Sequence, residues 1–205
     1  MSIKHAPTFK IELELMADGF QRIVGVDEAG CGALAGPVVA GAVIFPLDSN
    51  LEKVRDSKLL TERAREELYP QITECATAWG SGSASVEEIF DIGIRAATYL
   101  AMRRAVEAIE QPDYILVDAW TIPGINTPQR GIIRGDRTVK SIAAASIIAK
   151  VTRDRLMKVY ADEYPVYQFG VHKGYGTKVH REAITAHGPC KIHRLGYKTF
   201  SSFRT

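Results

Sequence analysis

The chain has 205 residues, of which 46% are hydrophobic and 24% charged. That is enough for one sizeable core, and it excludes collagen-like, mucin-like and mainly disordered classes. The net charge of +2 hides a split: residues 1–136 carry 13 Lys+Arg against 20 Asp+Glu, and residues 137–205 carry 13 against 4.

A basic last third joined to an acidic body suits a polyanion partner, although an uneven solvated surface looks the same. No apolar run approaches the ~20 residues of a membrane helix. Cys31, Cys75 and Cys190 make no metal-ligand spacing. No secretory pattern opens the chain, so they are expected to be cytoplasmic thiols.

In chain order, Ile11, Leu13, Leu15 and Met16 predict a short packing helix closed by Gly19. Residues 22–27 form a strand ending in carboxylates. Residues 37–45 form a second strand, covered on both faces. The Gly-rich segment 30–36 is too short for a crossover helix, so the two strands are antiparallel. Pro46 and Asp48-Ser49-Asn50 make the next turn. Thr61 opens a helix to about Tyr69, and residues 72–79 alternate as a third strand. Ser85 caps a short helix through Phe90, and residues 93–110 have helical spacing until Pro112. Residues 114–118 form an interior strand ending in Asp118, and a short strand near 130–134 precedes Gly135-Asp136. Long helices over about 138–160 and 178–187 complete the chain. The expected architecture is one mixed five-stranded sheet with helices on both faces, in a single domain.

Asp27-Glu28, Asp118 and Asp136 all stand at ends of elements. In open α/β sheets, ligands bind beyond strand ends. If the strands carrying Asp27 and Asp118 are neighbours, the acids meet and repel. A divalent ion with oxygen ligands would relieve that repulsion. Two such ions would suit phosphodiester cleavage. The plainer alternative is that each Asp caps a turn or, at Asp136, a helix start. Adjacent strand residues point to opposite faces. Asp27 and Glu28 therefore share a site only if the strand has ended by Glu28, or if Glu28 offers its carbonyl. Gly30 and Gly32 would let backbone approach a sugar closely, or serve a tight hairpin.

Five segments in order resemble the type 2 ribonuclease H family, its bacterial ribonuclease HII branch in particular. They are GVDEAGCGALAGPVVAGAV at 25–43, DSK at 56–58, ILVDA at 115–119, RGDRTVKSIAAASIIAKVTRDRLM at 134–157 and HKGYGTKVH at 172–180. IHRLGY at 192–197 is a weaker echo. The resemblance implies a ribonuclease H-like α/β fold, with about 160–205 as a basic helical extension that helps bind substrate. It implies an endonuclease that cuts the RNA strand of RNA/DNA hybrids and 5′ of single ribonucleotides in duplex DNA. The products would carry 5′-phosphate and 3′-hydroxyl ends.

Carried over, Asp27, Glu28, Asp118 and Asp136 would be both catalytic acids and ligands of two Mg²⁺ or Mn²⁺ ions. Asp27 would bridge the ions, and Asp136 would hold the one nearest the attacking water. Gly30, Cys31, Gly32, Lys58 and Tyr175 would bind substrate, with Tyr175 and the loop backbone on a 2′-hydroxyl. Cys31 stands where the family usually has Arg, and a thiol cannot replace that cation. The expected effect is weaker binding or altered preference with the chemistry kept. Lys140, Lys150 and Arg153 would reach phosphate, or be ordinary helix charges. The protein is expected to be a monomer without a membrane partner. The alternatives are a ribonuclease HIII-like enzyme, for whose extra N-terminal domain Asp27 leaves no room, and a non-catalytic hybrid-binding protein.

Overall fold

The computed structural model describes residues 6–49 and 51–203. Asn50, expected in a turn, lies outside the described residues. β1 (Ile23–Ala29) and β2 (Val38–Ile44) form the antiparallel hairpin expected around the Gly-rich segment, with Asp27 opposite Gly41. β3 (Ala78–Ala84) pairs antiparallel outside β2. β4 (Tyr114–Asp118) lies parallel to β1, and β5 (Gln129–Ile132) parallel to β4. The sheet order is β3-β2-β1-β4-β5.

The strands are apolar on both faces because both faces are covered. α3 (Val86–Glu107) packs Ala97, Ala101 and Ala105 on one face, against Val24, Val26, Ala40 and Ala42. α5 (Lys140–Glu163) packs Ala144, Ile147 and Ile148 on the other, with α2 (Glu62–Cys75) outside it. Glycines set how closely these helices approach. A Cβ on Gly41 would stand 2.4 Å from the Ala145 carbonyl oxygen, and one on Gly82 2.3 Å from that of Ala101.

α1 (Lys10–Ala17) serves the start of α5. Its buried Glu12 accepts from the Ser141 N–H at 3.0 Å and hydroxyl at 2.8 Å. A carboxylate there satisfies helix-start donors and meets the positive helix end. A short α4 (Gly135–Thr138) comes just before α5, and α6 (Phe169–His172) and α7 (Lys178–His187) follow it.

Two expectations need correction. Residues 72–75 are helix, and the third strand begins at Ala78. α2 continues through Pro70 because Leu68 and Ile72, four residues apart, are buried together beside α5. Tertiary burial outweighs the local cost of proline in a helix. Gly80 and Gly82 lie in β3 where α3 comes closest. The two helices expected over 85–110 form one element bent at Gly93, whose φ is 79°. Ser85 does cap it, in a reciprocal box with Glu88.

Gly41→Ala should force α5 away from the strand that carries Asp27. We expect a loss of about 1–3 kcal/mol or more in urea unfolding. An unchanged midpoint would show that α5 moves freely on the sheet.

Candidate active site

β1 and β4 pair in parallel as far as Val26 opposite Val117, so Asp27 and Asp118 follow side by side on neighbouring strands. The short α4 brings in the third acid: the Gly135 N–H donates to Asp118 Oδ1 at 2.7 Å, and Asp136 follows. One carboxylate oxygen from each of Asp27, Asp118 and Asp136 lies within 4.8 Å of the others. Asp27 and Asp136 are buried and Asp118 half-buried. Burial, then Glu28 and Asp118, push the Asp27 carboxyl well above its ordinary range. Burial, then Asp118 and Asp56, raise Asp136. Lys58 Nζ lies 3.3 Å from Asp136 Oδ2. Burial alone would lower this ammonium, but Asp27, Asp136 and Asp56 outweigh it and hold it above the usual lysine value. Asp56 sets the turn by accepting the Lys58 N–H at 2.9 Å.

Glu28 is placed differently. β1 runs unbroken to Ala29, so the early strand end that would have aimed Glu28 beside Asp27 does not occur. The Glu28 carboxylate turns toward α3, and Cys31 Sγ donates to it at 3.5 Å. Cys31 Sγ also lies 3.1 Å from Thr98 Oγ1 on α3. Burial and the Glu28 charge push the Cys31 thiol up to about 12, so it is an inert hydrogen-bonding group. Glu28 and Asp118 nevertheless line one cleft, which joins Glu28 to the site from its other side.

The loop after β1 is clamped by two buried arginines that sequence reasoning did not single out for this work. Arg153 donates to the carbonyls of Pro37 at 2.9 Å, Ala35 at 3.0 Å and Lys173 at 2.9 Å. Arg194 donates to those of Gly36 at 2.9 Å and Cys31 at 3.0 Å. Gly30, at φ 98°, leaves no room for a Cβ, which would stand 2.1 Å from Arg153 Nε. Arg153 is therefore not a phosphate ligand. Lys140 is buried with Nζ on the Val54 carbonyl, and Lys150 bonds Asp154 at 2.5 Å, so neither is a free cation. The Gly30 carbonyl accepts from Ala33, and that of Cys31 from Arg194 and Tyr197. The N–H groups of Cys31 and Gly32 form no hydrogen bond among the described residues.

Tyr175 is half-buried beside this clamp, with the Arg153 guanidinium 5.3 Å from its ring centre. Its carbonyl ends a chain of buried imidazoles. The Cys190 N–H donates to His193 Nδ1 at 2.8 Å, which makes His193 Nε2 the protonated nitrogen. That nitrogen donates to His180 Nε2 at 3.1 Å, and His180 Nδ1 donates to the Tyr175 carbonyl at 3.0 Å. His172 stacks on His180 with centroids 4.4 Å apart. Each ring is neutral in this pattern, and burial holds His180 and His193 down at about 4.

The three clustered acids offer only hard oxygen donors, two of them buried and one half-buried, and repel one another without a cation. They fit a divalent ion of the Mg²⁺ or Mn²⁺ type. A mixed α/β sheet with carboxylates beyond two parallel strand ends defines a ribonuclease H-like protein with a cation-binding acid cluster. The family model for ribonuclease HII matches residues 24–200. Ribonuclease HII of Caldicellulosiruptor saccharolyticus is 48% identical over 190 residues, covering 92% of this chain and 93% of that protein. Ribonuclease HII of Bacillus velezensis is 54% identical over 186 residues, covering 90% and 72%. The crystal structure of ribonuclease H2 from Pyrococcus horikoshii superposes with a TM-score of 0.68 at 26% identity, covering 88% and 95%. The chain belongs to the ribonuclease HII family.

Two outcomes follow from the clamp and the imidazole chain. Arg153→Met would strand three carbonyls and should cost about 3 kcal/mol or more in chemical unfolding, since each unpaired group costs about 1–3. For His180 and His193, folded values near 4 lie below the ordinary 6.5. The unfolded chain therefore takes up their protons first as pH falls, and their contribution to stability, complete above about 6.5, is lost toward about 4. The raised acids act in the opposite direction, so the comparison is between proteins. The melting temperature should fall less from pH 7 to pH 4 in His193→Gln than in the wild type, with equal falls counting against neutral imidazoles.

Proposed function

We propose that this protein is a metal-dependent endonuclease of the ribonuclease HII type. It hydrolyses the RNA strand of RNA/DNA hybrids and cuts 5′ of single ribonucleotides in duplex DNA, leaving 5′-phosphate and 3′-hydroxyl ends. The observation that carries this reading is the cluster of Asp27, Asp118 and Asp136 in a chain that belongs to the family.

Asp27, Asp118 and Asp136 would hold Mg²⁺ or Mn²⁺, with Glu28 reaching the site from the α3 face through the cleft it shares with Asp118. A cation there would supply an activated water and neutralise charge on the leaving oxygen. Lys58 beside Asp136 counters phosphate charge as the strand arrives. The Cys31 and Gly32 N–H groups and the Tyr175 hydroxyl meet the 2′-hydroxyl, the group that separates RNA from DNA. Glycine at 32 keeps that approach open, since a Cβ there would meet no atom within 4 Å. The reading extends to a cytoplasmic monomer. Its three cysteines are free thiols, and no helix among the described residues is long and apolar enough to cross a membrane.

The test is cleavage of a duplex with one embedded ribonucleotide and of a full hybrid, with Mg²⁺, Mn²⁺ or EDTA. Cutting should require the metal. Asp27→Asn and Asp118→Asn should each lower kcat by about 10³-fold or more while hybrid binding stays within a few-fold, as expected when preorganised charge at the reacting centre is lost. No cutting of either substrate by the wild type with metal would overturn the reading.

A further inference from the structure

A cleft of about 280 Å³ opens between α3 and the turn after β4, with Glu28 and Asp118 at its inner end. It lies on the sheet face opposite Lys58, and none of the roles above uses its outer part. Trp120 stands on its rim, 67% exposed. An indole that large normally buries most of its surface. The backbone holds it there. Ala119 sits at φ 61°, a left-handed conformation that alanine rarely adopts. The turn is fixed by bonds from the Ala119 N–H to Ile132 O at 2.9 Å and from the Trp120 N–H to Asp118 O at 2.8 Å. Gly131 makes room for it, since a Cβ there would stand 2.6 Å from Ala119 O. A strained residue kept in place by its surroundings and presenting an exposed aromatic beside an acidic site is a functional arrangement.

Arg95 lines the same cleft from α3. It is exposed, and its guanidinium has no hydrogen bond or ion pair among the described residues. Its helix neighbours are committed: Arg104 to Glu88 at 2.7 Å, and Arg103 to the Pro123 carbonyl at 3.1 Å. Apolar Ile94 and Met102 form the floor. The cleft thus combines a flat aromatic face, an apolar floor and one free guanidinium, the set that binds a base together with its phosphate.

We propose that this cleft is a nucleotide subsite, in which Trp120 stacks on a base and Arg95 contacts a phosphate of the strand whose neighbouring phosphate lies on the acids. The inference rests on the nuclease reading, because it takes that strand as its ligand. It also gives the cut site a cation that the Cys31 thiol, turned inward onto Glu28 and Thr98, does not provide.

The test uses the full chain with Trp79→Phe, which leaves Trp120 as the sole tryptophan. In EDTA, so that nothing is cut, a short RNA/DNA hybrid is titrated while binding is followed by anisotropy of a label on the hybrid. Trp120 emission should be quenched in step with binding. Adenosine monophosphate at the same nucleotide concentration should leave it unchanged. In metal-supported cleavage, Arg95→Ala should raise KM about tenfold with kcat within about twofold, as loss of one charged phosphate contact predicts. The slope of log affinity against log salt should fall by about 1. Arg95→Lys should recover most of the salt slope. Unchanged Trp120 emission at saturating hybrid, quenching by the mononucleotide alone, or an Arg95→Ala KM within about twofold of wild type would each overturn the subsite. A wild type that cuts normally in the same experiments leaves the nuclease reading standing, so the two failures are distinct.

Discussion

The site depends on how the carbonyls of the β1–β2 loop are satisfied. A loop between two strands has no ladder partners, and this one lies beneath the C-terminal helices, where water does not serve it. Buried carbonyls left unpaired are costly. Arg153 and Arg194 answer four of them, at Cys31, Ala35, Gly36 and Pro37, and Arg153 takes Lys173 as well. A guanidinium can do this because its donors form a rigid fork, whereas an ammonium is a single point. These bonds tie four distant segments into one body: the loop, the middle of α5, the turn before Tyr175 and the C-terminal segment at Arg194. The Leu34 N–H bond to Gly174 O at 2.8 Å and the bridge between Ala35 and His193 reinforce the tie. Tyr175 comes beside the Gly-rich loop because Arg153 lies between them.

On this frame the fold can hold a group of charges that works against it. Asp27 and Asp136 are raised because they are buried and because they face other acids. Lys58 offsets part of that cost but is 69% exposed at its side chain, so it is screened and mobile compared with a buried partner. A bound cation would add to folding stability as well as to chemistry, since it binds only the assembled cluster. The rigidity needed to keep the acids together meanwhile comes from elsewhere. β2 is buried along its whole length, and glycines at 25 and 41 let the α5 backbone sit almost directly on the sheet.

Much of this was legible in the sequence because periodicity and strand-end acids are local signals. The hairpin, the interior strand at 114–118, the helix at 178–187 and the meeting of Asp27 with Asp118 all follow from patterns a few residues long. What was not legible is set by contacts distant in sequence. Residues 72–75 alternate like a strand but belong to a helix, because Ile72 packs beside α5 with Leu68. Glu28 could not be assigned a face until β1 was seen to continue through Ala29. Arg153 and Arg194 look like surface cations, since nothing nearby in sequence shows that they point inward at a loop more than a hundred residues away. Arg153 sits in the polar stretch Lys150-Val151-Thr152-Arg153-Asp154-Arg155, so nothing local sets it apart.

The charge split therefore changes meaning. The basic last third does not simply present itself to a polyanion. Lys150, Arg153, Lys173 and Arg194 are spent internally, the last three of these buried. Others face the acidic body: Arg155 meets Glu66 at 2.6 Å, Lys158 meets Glu62 at 2.8 Å, and Arg137 meets Asp56 at 3.3 Å. The segregation of sign along the chain is in large part the seam along which its two portions dock. Two cations beside the site, Lys58 next to Asp136 and Arg95 in the cleft, come from the acidic portion. They flank the cluster from opposite faces of the sheet, one beside Asp136 and one in the cleft with Glu28 and Asp118. For a strand drawn to metal-bearing acids, those two positions matter more than the sum of charges, because screening in salt confines the attraction to within about 10 Å.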